Sequence, residues 1–142
     1  MGDAFLVTDA FPTLDGGDGH DLLDFSTFDD PEDIGSGILV GVSADLRQGE
    51  VTKGQIGGST LLGNFSLIEN AQGSPYADQL QGTVDDNALS GGGHNDFLAG
   101  RVGDDTLTGG SGNDVLDGGF GTDVAVFSGA MGDYQSIPDQ HP

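Results

Sequence analysis

Between residues 73 and 126 the chain repeats itself every nine residues without a gap, and this constrains its fold more than any other feature. The blocks open at Gly73, Gly82, Gly91, Gly100, Gly109 and Gly118. Their sixth positions are Asp78, Asn87, Asp96, Asp105, Asp114 and Asp123, and their eighth are Leu80, Leu89, Leu98, Leu107, Leu116 and Ala125. A further copy, Gly16 to Asp24, stands alone upstream. A unit with one apolar residue per block cannot bury a core by itself, so stacked neighbours must share one, which predicts a solenoid. Six residues of each block suit a turn and three a short strand. Side chains alternate along a strand, so the leucine of each triplet faces in and its neighbours face out. The resulting core is one leucine deep per strand.

Composition agrees with so thin a core. Hydrophobic residues make up 35% of the chain, and 27 of its 142 residues are glycine. The chain carries 24 acidic residues against three basic ones, a net charge of -21. Nucleic acid and anionic membrane surfaces are excluded as default partners, because their phosphates would be repelled. Cysteine is absent, so neither disulfides nor thiolate metal sites are available. No run of about 20 apolar residues suggests a membrane span. Met1 to Thr13 has no basic region followed by an apolar stretch, so no cleaved secretory signal is read there. Something besides apolar burial must offset chain entropy and charge repulsion.

The blocks follow the pattern Gly-Gly-x-Gly-x-Asp-x-U-x, where U is a large apolar residue. In this, residues 73–127 and 16–25 resemble the RTX family, calcium-binding repeats of proteins exported by bacterial type I secretion. The resemblance implies an all-β, right-handed parallel β-roll holding several Ca²⁺ ions, about four or more. Asp supplies hard oxygen, and glycines let the backbone bring several carbonyls to one point. The alternative for the aspartates, plain turn chemistry, is outweighed by six copies in phase.

One turn of such a roll uses two blocks, so loops 18 residues apart stack. The resemblance implies six-oxygen sites between them. The lower loop gives the carbonyls of positions two and four and the carboxylate of position six. The upper loop gives the carbonyls of positions one and three and its own position-six carboxylate. Carried onto this sequence, one edge holds a site of Ser74, Tyr76, Asp78, Gly91, Gly93 and Asp96, and another of Gly92, His94, Asp96, Gly109, Ser111 and Asp114. The other edge holds Arg101, Gly103, Asp105, Gly118, Phe120 and Asp123, and also Thr83, Asp85, Asn87, Gly100, Val102 and Asp105. Asn87 costs its site one charge. Tyr76, Asp85 and His94 replace a glycine at position four and Arg101 one at position two, which is tolerated only if their backbones reach the required angles. The sites containing Asp114 and Asp123 fit the pattern best. Asp21 is expected to bind as well, with no stacking partner visible in the sequence.

Residues 1–72 read as an irregular lead-in to the roll, with longer strands and a loop from Phe28 to Ser36. Ile38, Val40 and Val42 alternate within a strand from Gly37 to Leu46, Arg47 to Gly49 reads as a turn, and Phe65 to Ile68 as a strand feeding the repeats. Residues 128–142 read as a C-terminal tail, frayed from Ala130 onward. His20, His94 and His141 lack metal-ligand spacing, Asp29 and Asp30 read as solvated, and Asp30-Pro31 as a turn initiator. No nucleophile-base, zinc-protease or P-loop motif is present, so the chain is not expected to be an enzyme. The expected function is a calcium-driven folding module of an extracellular, type I-secreted protein. The alternative is a non-catalytic module attached to other domains of a secreted enzyme, or an adhesive scaffold. Calcium is the one partner the residues themselves call for.

Overall fold

The computed structural model describes residues 2–7, 13–27, 41–53, 60–128 and 134–137, and all their regular structure is strand. In chain order these are β1 (Ala4–Leu6), β2 (Thr13–Asp15), β3 (Leu22–Asp24), β4 (Val42–Asp45), β5 (Glu50–Lys53), β6 (Thr60–Ser66), β7 (Asn70–Gln72), β8 (Gln79–Gln81), β9 (Ala88–Gly93), β10 (Phe97–Val102), β11 (Thr106–Ser111), β12 (Asp114–Phe120), β13 (Val124–Val126) and β14 (Tyr134–Ile137). Among the described residues no helix is long and apolar enough to cross a membrane.

The strands form two sheets wound as a parallel β-solenoid, the architecture the nine-residue period predicts. One sheet runs β1-β3-β7-β9-β11-β13 and the other β14-β12-β10-β8-β4-β5-β6-β2. Within the repeats the register is 18 residues: Leu80 pairs with Leu98, Leu98 with Leu116, and Leu89 with Leu107, all in parallel. The five leucines are at most 2% exposed, and both sheets contribute them to a single core. Full burial of each contributes about 1.5–3 kcal/mol. The lead-in has a thicker core, with Phe25, Val42, Val51, Phe65 and Ile68 buried together.

The lead-in also departs from the 18-residue rule. β4 and β5 form an antiparallel hairpin, and β5 pairs antiparallel with the seven-residue β6, so the expected longer strand is interrupted by a meander. The turn at Arg47 to Gly49 is present: Asp45 Oδ1 accepts from Arg47 N and Gln48 N, and Gly49 N donates to the Asp45 carbonyl at 2.8 Å. The strand expected over Phe65 to Ile68 stops at Ser66, because Leu67 takes a φ of 54° and turns the corner. Tyr134–Ile137, within the stretch expected to fray, instead pair in parallel with β12. The Phe28–Ser36 loop, Asp29, Asp30-Pro31, Ile38, Val40 and His141 lie outside the described residues.

Candidate metal centre

The six-residue loops between strands carry the site residues, and those loops fall into two kinds. In the loops opening at Gly91, Gly100, Gly109 and Gly118, the second residue is left-handed: Gly92 at φ 108°, Arg101 at 86°, Gly110 at 100° and Gly119 at 89°. So is the fourth: His94 at 69°, Gly103 at 123°, Gly112 at 132° and Gly121 at 146°. The isolated repeat matches them, with Gly17 at 79° and Gly19 at 140°. His94 and Arg101 therefore reach the glycine conformation at a cost of about 1–2 kcal/mol each. Arg101 is tied down as it does so, donating to Asp45 Oδ2 at 2.9 Å and to Gln81 Oε1. Ser74, Tyr76, Thr83 and Asp85 do not adopt the left-handed conformation, so the loops opening at Gly73 and Gly82 have a different shape.

Position six forms a ladder along each edge. Asp96 Oδ1 accepts from Asp78 N at 2.8 Å and Asp114 Oδ1 from Asp96 N at 3.0 Å. On the other edge Asp105 Oδ1 accepts from Asn87 N at 2.8 Å and Asp123 Oδ1 from Asp105 N at 3.0 Å. Each of these bonds spans 18 residues, so one carboxylate oxygen ties successive turns together. The other oxygen is the one with chemistry left over. Oδ2 of Asp96, Asp105 and Asp114 is buried and has no hydrogen-bond partner, and the same is true of Asp21. A buried, unpaired carboxylate oxygen is costly unless a cation meets it.

Main-chain oxygens converge on the same loops. A Cβ built on Gly112 would collide with the His94 carbonyl oxygen, one on Gly110 with that of Gly92, and one on Gly119 with that of Arg101. One on Gly121 would collide with the Gly103 carbonyl, and one on Gly103 would lie 2.7 Å from that of Asp85. Carbonyls of positions two and four thus face the loop above. In the opposite sense, the Gly109 oxygen is 2.7 Å from a Cβ built on Gly91, and that of Gly100 is 2.5 Å from one on Gly82. The Phe120 carbonyl also faces down, accepting from Gly103 N at 3.0 Å. Among the described residues no three acidic or imidazole side chains gather round one point. Any ion is therefore to be held largely by carbonyls, with a carboxylate from each loop. An all-oxygen donor set of this kind fits Ca²⁺ rather than a softer metal.

Electrostatics single out Asp96 rather than one kind of loop. Burial pushes Asp96 up to about 8, and the neighbouring Asp78 and Asp114 add to it, against the bond from Asp78 N. Burial raises Asp78 only to about 6, because Val42 N, Ser74 Oγ and Ser74 N all stabilise its charge. Asp105 is raised to about 6, again by burial first. His20 and His94 are exposed, and His94 Nδ1 lies 2.8 Å from the Pro75 carbonyl.

The chain matches the RTX calcium-binding nonapeptide repeat at residues 72–107 and 90–125. This block belongs to the RTX family. Among curated proteins none matches the chain. The RTX block is a calcium-binding structural module, and its 18-residue register is the one that brings paired loops together. One group absent from the sequence reading is Glu69. It supplies the missing partner of Asp21, accepting from Asp21 N through Oε2 at 2.9 Å. The only signal for it in the sequence was its place just before a short strand, where the repeats carry Asp.

Proposed function

We propose that this chain folds on binding Ca²⁺ after type I export and serves as an extracellular folding module of a secreted protein. The observation that carries this reading is the set of buried, partnerless Oδ2 atoms on Asp96, Asp105 and Asp114. In a chain of net charge -21 these oxygens oppose folding until a cation meets them. Each divalent ion removes two units of repulsion and bridges two turns. Extracellular calcium modules have Kd values of about 10⁻⁴–10⁻³ M, far above cytosolic calcium, so the same sites stay empty before export and fill after it.

The sites are ordered by their lower loops. Those of Gly92, His94, Asp96, Gly109, Ser111 and Asp114, and of Arg101, Gly103, Asp105, Gly118, Phe120 and Asp123, have left-handed lower loops and orphaned oxygens, and fill first. Those with lower loops at Ser74, Tyr76 and Asp78 and at Thr83, Asp85 and Asn87 are closed by hydrogen bonds and fill last.

Circular dichroism tests the reading. The chain in excess chelator is expected to give a coil spectrum, and millimolar Ca²⁺ a β spectrum. Mg²⁺ is expected to do far less, because it demands small octahedral sites. A full β spectrum in chelator would overturn calcium-driven folding.

A further inference from the structure

The isolated repeat at Gly16 stacks on no second repeat. Between β2 and β3 the chain takes six residues, Gly16 to Asp21, whereas between β6 and β7 it takes three, Leu67 to Glu69. The two corners are nevertheless joined by the same contacts as repeat loops. Asp3 N donates to Asp21 Oδ1 at 2.6 Å, the 18-residue rung of the ladder. Asp21 N then donates to Glu69 Oε2, where a repeat would present an aspartate. One extra methylene lets the glutamate reach from a corner three residues shorter.

The second oxygen of Asp21 faces the same space as the upper corner. Asp21 is 0% exposed, and its Oδ2 has no hydrogen-bond partner. A Cβ built on Gly16 would lie 2.8 Å from that atom and would collide with the Leu67 carbonyl oxygen. At Gly91 the corresponding point is crowded by Asp96 Oδ2 and the Gly109 carbonyl, so Leu67 takes the place of the upper loop's first residue. The short corner also leaves a notch of about 410 Å³ between this repeat and the next loop, lined by Glu69 and His20.

We propose that Asp21 Oδ2, the Leu67 carbonyl and the Glu69 carboxylate hold a Ca²⁺ ion that joins the isolated repeat to the chain 48 residues later. The site rests on the calcium reading above but uses a non-repeat upper corner. Its ion closes the lead-in onto the repeats, pinning β3 against β7.

Calorimetric titration with CaCl₂, paired with hydrogen exchange, tests it. Glu69→Gln keeps an acceptor for Asp21 N but loses the charge, and Asp21→Asn removes the orphaned oxygen. Each is expected to bind one ion fewer per chain than the parent and to lose calcium-dependent protection at Leu22–Asp24 and Asn70–Gln72. Protection at Leu98, Leu107 and Leu116 should persist. Asp96→Asn is expected to raise the calcium concentration at which Leu98 and Leu116 become protected, while leaving that for Leu22–Asp24 and Asn70–Gln72 unchanged. Parental stoichiometry and protection in Glu69→Gln would overturn the proposal, and if Asp21→Asn fails to fold, Glu69→Gln decides alone. Absence of calcium binding by the parent chain would instead overturn the calcium reading itself.

Discussion

Two neighbouring turns of this solenoid share a period and a register but are closed by different chemistry. In the turn Gly73 to Ser90, position two is Ser74 or Thr83, and protein hydrogen bonds satisfy position six. Asp78 accepts from Val42 N at 2.6 Å and from Ser74 N and Ser74 Oγ at 2.7 Å. Asn87 accepts from Thr83 N at 2.7 Å and donates to the Glu69 carbonyl at 2.7 Å. In the turns from Gly91 to Asp123, position two is Gly or Arg in the left-handed conformation, and Asp96, Asp105 and Asp114 keep an oxygen unmet. The position-two amide, which donates to Asp78 Oδ2 and to Asn87 Oδ1 and is helped by the hydroxyl beside it, thus distinguishes a turn that closes itself from one that leaves an oxygen unmet. The self-closing turn lies against the thicker apolar core of the lead-in. On the proposed reading, independent stability should decrease along the chain from the core around Phe25 and Ile68, through Ser74 and Asp78, to the turns whose oxygens are unmet.

The largest test sets Asp96→Ala against Asp78→Ala. In the proposed arrangement Asp96 is shared by the site below it and the site above it, so its loss should raise the calcium midpoint by about tenfold or more, each tenfold being about 1.4 kcal/mol. Full β content should still be reached at saturation. Asp78→Ala instead strands Val42 N, Ser74 N and Ser74 Oγ in a buried place. Each bond to a carboxylate contributes about 1.5–3 kcal/mol, so stability should fall by at least about 3 kcal/mol even at saturating calcium. Calcium titration and urea unfolding of both variants separate the effects. A shifted midpoint with undiminished saturated stability in Asp78→Ala would erase the difference between the turns.

The period, the leucine ladder and the 18-residue stacking were legible because each is a phase in the sequence. Leu80, Leu98 and Leu116 recur at the spacing at which the structure pairs them. The two kinds of loop were half legible. Tyr76, Asp85, His94 and Arg101 all stand where the pattern has glycine, yet only His94 and Arg101 take its backbone angles. What separates them is tertiary: Ser74 and Thr83 donate within their own loops, whereas Arg101 is anchored by Asp45, 56 residues away. The partnership of Asp21 with Glu69 was not legible, because the antiparallel meander β4-β5-β6 intervenes and shortens the corner. β14 was missed because Tyr134–Ile137 has no repeat signature to announce it.

The pH dependence should be smaller and should centre on Asp96, because Asp78 and Asp105, one from each kind of turn, are raised alike. Folded Asp96 holds its proton up to about 8, and Asp78 and Asp105 to about 6, against about 3.9 in an unfolded chain. The ion-free fold thus binds more protons than the unfolded chain between about pH 4 and 8 and loses stability as pH rises through that window. Acid should therefore induce some β structure in chelator. Calcium must displace the Asp96 proton, so its midpoint should rise as pH falls from about 8 toward 6. In Asp96→Asn that rise should shrink, and an unchanged rise would assign the proton elsewhere.

A conversion experiment sharpens the comparison at a modest effect size. Ser74→Gly with Tyr76→Gly gives the first loop the residues of the later ones and frees one hydrogen bond of Asp78. The loss of the Ser74 hydroxyl should cost about 1 kcal/mol without calcium. Calcium should restore it, through tighter binding between this loop and Gly91–Asp96. Calorimetry of the double variant should show the weakest ion of the parent strengthened. A double variant destabilised equally with and without calcium would show that position two does not select between hydroxyl and ion.

Arg101→Gly should have the smallest effect, because its contributions oppose one another. Glycine relieves the left-handed strain at φ 86°, about 1–2 kcal/mol. It also removes the ion pair with Asp45, which at 24% and 12% side-chain exposure contributes up to about 1 kcal/mol, and the bond to Gln81. The net change in stability should stay within about 1 kcal/mol. Calcium affinity should move separately, since the Arg101 carbonyl is a ligand in the proposed site and its guanidinium would repel a cation nearby. The midpoint should fall by less than about threefold, and the fall should diminish in added salt as the guanidinium is screened. Asp45→Asn, which leaves the guanidinium in place but unpaired, should move the midpoint the other way. If both variants shift it in the same direction, Arg101 acts on the turn through its backbone alone.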